Sequence, residues 1–210
     1  MKVMLINGSP HQKGCTYTAL DEVSRTLNAE GIETAFFWIG TKPLAGCIAC
    51  GNCSRTGHCV FDDKVNEFLA IAGDYDGFIF GSPVHFASAS GALTSFMDRV
   101  FYTDLNAGDN TFLLKPAAAV TSARRAGTTA TFDQMNKYFT LMQMPIISSS
   151  YWNNVHGHTP DDVRKDLEGM QIMRILGRNM AWFLKCKEAG LKAGIPFPQQ
   201  EESISTNFIR

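Results

Sequence analysis

Short apolar runs alternate with longer stretches of helical periodicity along this chain, and few folds accept that order. Residues 2–7 make a run of strand length that breaks at Gly8-Ser9-Pro10. Residues 16–30 place Leu20, Val23 and Leu27 at helical spacing and stop at Gly31, a helix-ending glycine. Further strands are predicted over residues 33–39, 77–81, 117–121 and 145–149, and helices over 62–72, 90–102 and 129–142. The last helix has the clearest start, with Thr159 as N-cap, Pro160 at the first helical position and Asp161-Asp162 facing the dipole. Its apolar positions run on through Phe183 as one helix. Five strands alternating with helices predict an α/β fold, a five-stranded parallel sheet with helices on both faces. That domain spans residues 1–192, and residues 193–210, with Pro196 and Pro198, read as a C-terminal arm.

Composition removes several functions. Nineteen Lys+Arg against twenty Asp+Glu leave a net charge of −1, which gives no electrostatic footprint for nucleic acid or an anionic membrane surface. The longest apolar runs are five residues, as at 35–39 and 68–72, too short to span a bilayer. The N-terminal run is too short for a signal-peptide core, so a cytoplasmic location is expected. In that compartment the six cysteines read as ligands, redox groups or buried thiols rather than disulfides. Cys186, on an apolar helix, reads as a core residue. His156-Gly157-His158 reads as shaping the turn before Thr159, since no cysteine or carboxylate accompanies it at ligand spacing.

Open α/β sheets bind ligands at the carboxyl ends of their strands, near the switch point in strand order. Three loops there carry chemistry. The first, residues 7–18, combines a helix start with Ser9, Lys13, Thr16 and Thr18, a phosphate-binding combination. It lacks the glycine–lysine pattern of nucleoside-triphosphate loops, and no G-x-G dinucleotide fingerprint occurs in the chain. A hydroxyl-rich loop of this kind suits a single phosphate monoester, as in flavin mononucleotide (FMN). The second loop, residues 81–91, offers Pro83 and Phe86 as apolar surface and backbone amides for a flat heterocycle. The third, residues 121–129, carries Arg124 and Arg125 beside Gly127 and several hydroxyls, for a flavin carbonyl edge or a pyridine-nucleotide phosphate.

With G-S-P-H-Q-K-G-C-T at 8–16, G-S-P-V-H-F-A-S at 81–88 and S-A-R-R-A-G-T-T at 122–129, the chain resembles the flavodoxin-like NAD(P)H-dependent FMN reductases. Within that group it is most similar to the iron–sulfur flavoprotein branch, from Met1 to about Lys185. The resemblance implies a flavodoxin-like three-layer sandwich. It also implies FMN phosphate held by Ser9, Lys13, Cys15, Thr16 and Tyr17. The isoalloxazine would lie against Pro83, Val84, His85 and Phe86, with Ser122, Arg124 and Gly127 closing the third side. A homodimer or homotetramer is implied as well.

Cys47, Cys50, Cys53 and Cys59 form C-x2-C-x2-C-x5-C. Bacterial-type ferredoxins use C-x2-C-x2-C because one short turn then presents three thiolates to a cubane cluster. Cys59 completes a four-thiolate set for [4Fe–4S], and the loop is expected at the same sheet edge as the flavin. Two other readings stay open here, metal-free thiols and a zinc site, though zinc tends to use separated C-x2-C pairs. The function expected is hydride transfer from NAD(P)H to FMN, with electrons passed to a small-molecule acceptor or a redox protein, through the cluster if one is held. Alternatives are a flavin or quinone reductase without a cluster, and a non-catalytic flavodoxin-like carrier. The near-neutral charge weighs against a carrier that docks by acidic attraction.

Overall fold

The computed structural model describes residues 1–202 and 204–206. In chain order its elements are β1 (Lys2–Asn7), α1 (Cys15–Ala29), β2 (Glu33–Trp38), α2 (Asn52–Thr56), α3 (Lys64–Ala72), β3 (Gly77–His85) and β4 (Ser88–Ala89). These are followed by α4 (Gly91–Ala107), β5 (Ala117–Ala123), α5 (Thr128–Leu141), β6 (Asn154–His156), α6 (Pro160–Lys165) and α7 (Leu167–Lys192). The five main strands pair in the order β2-β1-β3-β5-β6, all parallel, and β4 folds back antiparallel on β3. With the strands counted along that sheet, this is the 2-1-3-4-5 order of flavodoxin-like folds, with its switch point between β1 and β3.

The central strands β1, β3 and β5 are buried on both sides, so their alternate residues feed two cores. Met4, Ile6, Phe78, Phe80, Ala117 and Ala119 pack under α3, α4 and α5. Val3, Leu5, Ile79, Ala118 and Val120 pack under α1 and α7. The first core is aromatic: Phe68, Phe78, Phe80, Phe96, Phe101, Phe112 and Phe139 meet pairwise with ring centroids 5.0–6.5 Å apart. The alanine-rich β5 makes room for those rings at native packing density. On the other face α7 crosses α1 at Gly177, where a Cβ would stand 2.8 Å from Thr26 Cβ and 3.1 Å from the Val23 carbonyl oxygen.

The structure departs from the expectation at several points. β3 continues past Gly81 to His85, because Ser82 and Pro83 still pair with Thr121 and Ser122 of β5. The edge strand is split: residues 145–149 give one bridge, Ala117 to Ile146, and regular pairing resumes only at β6. Between them the Ser149 hydroxyl turns to Asn153 and to the Tyr151 carbonyl, which takes the chain off the ladder. The predicted single C-terminal helix is two helices, since Asp166 leaves helical geometry (φ −74°, ψ 80°) to cap α7 by accepting from Gly169 N–H. Cys186 is exposed rather than core. The buried stripe of α7 runs through Met173, Leu176, Met180 and Leu184, and a residue two past Leu184 falls on the opposite face. The capping box at Thr159 and Asp162 forms as expected.

Of the arm, Ile195 to Pro198 lie against Trp182, Phe183 and Lys187 on the outer side of α7. Residue 203 and residues 207–210 of that segment lie outside the described residues. The crossing at Gly177 yields a prediction. Gly177→Val, whose gain of a few tenths of a kcal/mol in helix propensity is smaller than the cost of the overlap, should destabilise the fold by about 1–3 kcal/mol in denaturant unfolding.

Candidate cofactor site

The first loop takes its shape from Asn7, 1% exposed at the end of β1. Its side-chain carbonyl accepts from Ser9 N–H at 3.0 Å and its amide donates to Gln12 O at 3.0 Å. This local turn folds the loop over the helix start. The Ser9 hydroxyl accepts from His11 N–H, and Trp38 Nε1 donates to the Ser9 carbonyl at 2.8 Å, pinning the loop to the end of β2. The N-cap of α1 is Gly14, which has no side chain to satisfy the first amides of the helix. Lys13 lies over the Tyr17 ring, which packs on Phe36.

The three expected loops meet. Gly8 N–H donates to Gly81 O at 2.8 Å, joining the first loop to β3. Ser90, buried at the N-cap of α4, donates to Gly8 O at 2.8 Å. Thr16 and Ser122 share a hydrogen bond of 2.8 Å between the first and third loops. Gly127 (φ 90°) lies so close to Val84 that a Cβ there would be 2.8 Å from Val84 Cγ1, joining the second and third loops. Pro83 and Val84 are half-buried, His85, Phe86 and Arg124 are exposed, and Ser9, Thr16 and Ser122 are buried. Phe86 is fully exposed at the hairpin tip and holds a left-handed φ of 58°. A bulky residue in that region is strained, a condition that recurs at ligand clamps. The Thr18 hydroxyl turns to Gly14 O along the helix and so does not face the loop. The Cys15 thiol turns to Gly157 O at 3.7 Å, beneath the end of β6.

The cysteine loop does not follow the three converging loops along the sheet edge as expected. Only residues 40–44 stay there, beside Gly8, Pro10, His85 and Ser90. The rest descends the flank of α4 because it must reach the start of α3. Cys47, Cys50, Cys53 and Cys59 line one cavity of about 20 Å³ with Ile48, Val60, Phe61, Arg99, Tyr102 and Thr103. Arg99 and Thr103 lie about 12 and 18 Å along α4 from Gly91, at 1.5 Å per residue. All four thiols are free; Cys47 and Cys50 are exposed and Cys53 is buried. Among the described residues no three His, Cys, Asp or Glu side chains are gathered as ligands of a single metal ion. A cubane takes one thiolate per iron and so needs a wider set. The donor chemistry of four thiols lining one cavity fits such a cluster, and Cys47 and Cys50 are its exposed members. They flank Ala49, held at a φ of 52°, a conformation alanine adopts only under local constraint.

Arg99 is the residue that the sequence reading missed. It is 1% exposed and forms an ion pair with Asp63 at 2.8 Å. Nε and Nη2 donate to Cys59 Sγ at 3.2 and 3.1 Å. Burial opposes its charge, but the hydrogen bonds to Asp63 and Cys59 more than offset this and hold the guanidinium charged. The available signal was its position, three residues after Phe96 at the margin of an apolar stripe, where a charge requires a partner.

The sheet order, the loops at the switch point and the helix layers define a flavodoxin-like protein. Residues 1–159 match the family model of NADPH-dependent FMN reductases, and the chain belongs to that family. It is 34% identical over 194 residues to an iron–sulfur flavoprotein of Methanocaldococcus jannaschii, covering 88% of this chain and 98% of that protein. An iron–sulfur flavoprotein of Archaeoglobus fulgidus is 27% identical over 192 residues, with 87% and 97% covered. Among solved structures, the NAD(P)H:quinone oxidoreductase of Methanothermobacter marburgensis has a TM-score of 0.67 at 16% identity, covering 86% of this chain and 96% of that one. The WrbA-like flavodoxin of Agrobacterium tumefaciens has 0.60 at 12%, covering 88% and 97%. No helix among the described residues is long and apolar enough to cross a membrane.

Burial pushes the Cys15 thiol above the usual cysteine range; a backbone hydrogen bond opposes this and the negative charge of Asp162 adds to it. Since the thiolate is the reactive form, Cys15 should alkylate several-fold more slowly in the native protein at pH 8 than in the urea-unfolded chain, and the gap should narrow as pH rises. Peptide mass spectrometry after iodoacetamide pulses measures this.

Proposed function

We propose that this protein is an FMN-dependent oxidoreductase that takes hydride from NAD(P)H and passes electrons to a small-molecule acceptor or a redox protein. The observation that carries the reading is the convergence of three loops, tied by Gly8–Gly81, Thr16–Ser122 and Val84–Gly127, around a helix start with no side-chain cap. The chemistry FMN supplies when bound is hydride acceptance at N5 and onward electron delivery.

Ser9, Lys13, Cys15, Thr16 and Tyr17 would hold the phosphate, with the first amides of α1 as donors and Lys13 as the cation. The Thr16–Ser122 hydrogen bond fixes the depth of that seat from below. Pro83, Val84, His85 and Phe86 would face the isoalloxazine, and burying Phe86 against it would remove an exposed aromatic from water. Ser122, Arg124 and Gly127 would close the third side, with the Arg124 guanidinium as donor to a carbonyl edge or a nicotinamide-nucleotide phosphate. Cys47, Cys50, Cys53 and Cys59 would hold a [4Fe–4S] cluster that relays electrons one at a time, in keeping with the names of the iron–sulfur flavoprotein relatives. Tyr151 and Trp152, exposed and in edge contact at 4.7 Å, offer surface for a homodimer or homotetramer. A cytoplasmic location completes the reading.

A second reading, a reductase of the same kind without a cluster, is favoured by the small size of the cysteine cavity. Anaerobically purified protein should contain about one FMN, four iron and four sulfide per chain, and NAD(P)H should bleach the flavin. Protein that neither contains nor takes up FMN ends the proposal. FMN without iron and sulfide selects the second reading. Gly127→Val, which forces a β-branched residue to a φ of 90° and into Val84, should weaken FMN affinity about tenfold in a fluorescence titration, equivalent to about 1.4 kcal/mol.

A further inference from the structure

Arginine has five N–H donors in a fixed planar fork, and Arg99 uses every one of its nitrogens. Nη1 donates to Ala45 O and to Asp63 Oδ2, and Nη2 to Asp63 Oδ1, Phe61 O and Cys59 Sγ. Nε donates to Cys59 Sγ at 3.2 Å. One edge of the guanidinium therefore clasps a carboxylate while the adjacent edge clasps a sulfur. Asp63 cannot rotate away easily, because the same carboxylate caps α3 by accepting from Val65 N–H. Phe61 stacks its ring against the guanidinium at 4.8 Å, closing one face to water. An ion pair serving only to hold the loop would need Asp63 and the two carbonyls. The second edge, turned with two donors onto one sulfur, is surplus to that task.

From this geometry we infer that Arg99 sets the reduction potential of the cysteine site, through its charge and its two N–H···S hydrogen bonds to Cys59. The inference rests on the proposal that the four cysteines hold a cluster. A one-electron reduction, with the electron supplied from the flavin, adds one negative charge to the cluster and its thiolates and breaks no bond. Hydrogen bonds to the sulfurs and net charge nearby are the levers that set such potentials. Charge-assisted donors at Cys59 favour the more negative state and so raise the potential. Asp63 opposes this by offsetting part of the guanidinium charge. Arg99 is thus a positioning and tuning residue, and Asp63 is its counterweight.

The test is an anaerobic redox titration followed by electron paramagnetic resonance, on the wild-type protein and on Arg99→Lys, Arg99→Gln and Asp63→Asn, with iron and sulfide counted in each. Arg99→Gln removes charge and fork and should shift the potential to more negative values. Arg99→Lys keeps charge without the fork and should shift it the same way by less. Asp63→Asn should shift it to more positive values, a sign that a purely structural role does not produce. Unchanged potentials in cluster-containing Arg99 variants overturn the inference and leave the cluster reading standing. If both Arg99 variants lose the cluster, Asp63→Asn decides, and an unchanged or more negative potential overturns the inference. Wild-type protein without iron and sulfide ends both.

Discussion

Gly8 meets Gly81 and Leu93 across a gap that admits only hydrogen. A Cβ on Gly8 would stand 2.8 Å from Leu93 Cβ and 2.9 Å from the Gly81 carbonyl oxygen. The first loop can therefore lie directly on the first turn of α4, at the point where the sheet changes direction. Ser90 locks that contact from one side by donating to Gly8 O while accepting from Leu93 N–H. From this fixed point the other loops take their positions: Ser82 holds Ser90 N–H, the β3–β4 hairpin extends over it, and β5 carries Ser122 under Thr16. The seat at the carboxyl edge is thus made by backbone closeness and buried hydroxyls, with charged side chains only at its rim.

The layers and the strand order follow from patterns visible along the chain, because strands buried on both faces are apolar without interruption and helices repeat their apolar face. The loops at the switch point were legible for the same reason, as breaks at fixed places in that alternation. The misreadings have local causes. Pro83 marks a loop by its chemistry, yet it still pairs with Ser122 as β3 runs past the other strand ends. The split in the edge strand depends on one serine choosing Asn153 over the ladder. Asp166 breaks a continuous apolar pattern by capping from within, and it also accepts from His156 N–H on β6. Cys186 owes its exposure to its phase on α7, which the apolar character of that helix conceals.

The descent of the cysteine loop was beyond reach of sequence because its anchor is remote. Asp63 and Cys59 lie 36 and 40 residues before Arg99, and no local spacing announces the contact. What the sequence does carry is an arginine set against an apolar stripe, a local conflict that a distant carboxylate and sulfur resolve. Such conflicts are where function tends to depart from pattern. The consequence is a division of the molecule into two chemistries on different tiers, hydroxyls and amides at the sheet edge, thiols and a guanidinium partway down the helix layer.

That arrangement also imposes an order on biosynthesis. Residues 45–63 leave the ribosome well before Arg99, and a domain folds as a unit once its segments have emerged. Until α4 has been made and laid over the sheet, the four thiols have neither the donor that faces Cys59 nor the helix flank that walls their cavity. The nascent chain thus passes through a stage in which Cys53 and Cys59 lack the walls that cover them in the folded protein, and any metal loading that uses the finished cavity comes after translation of the middle of the chain.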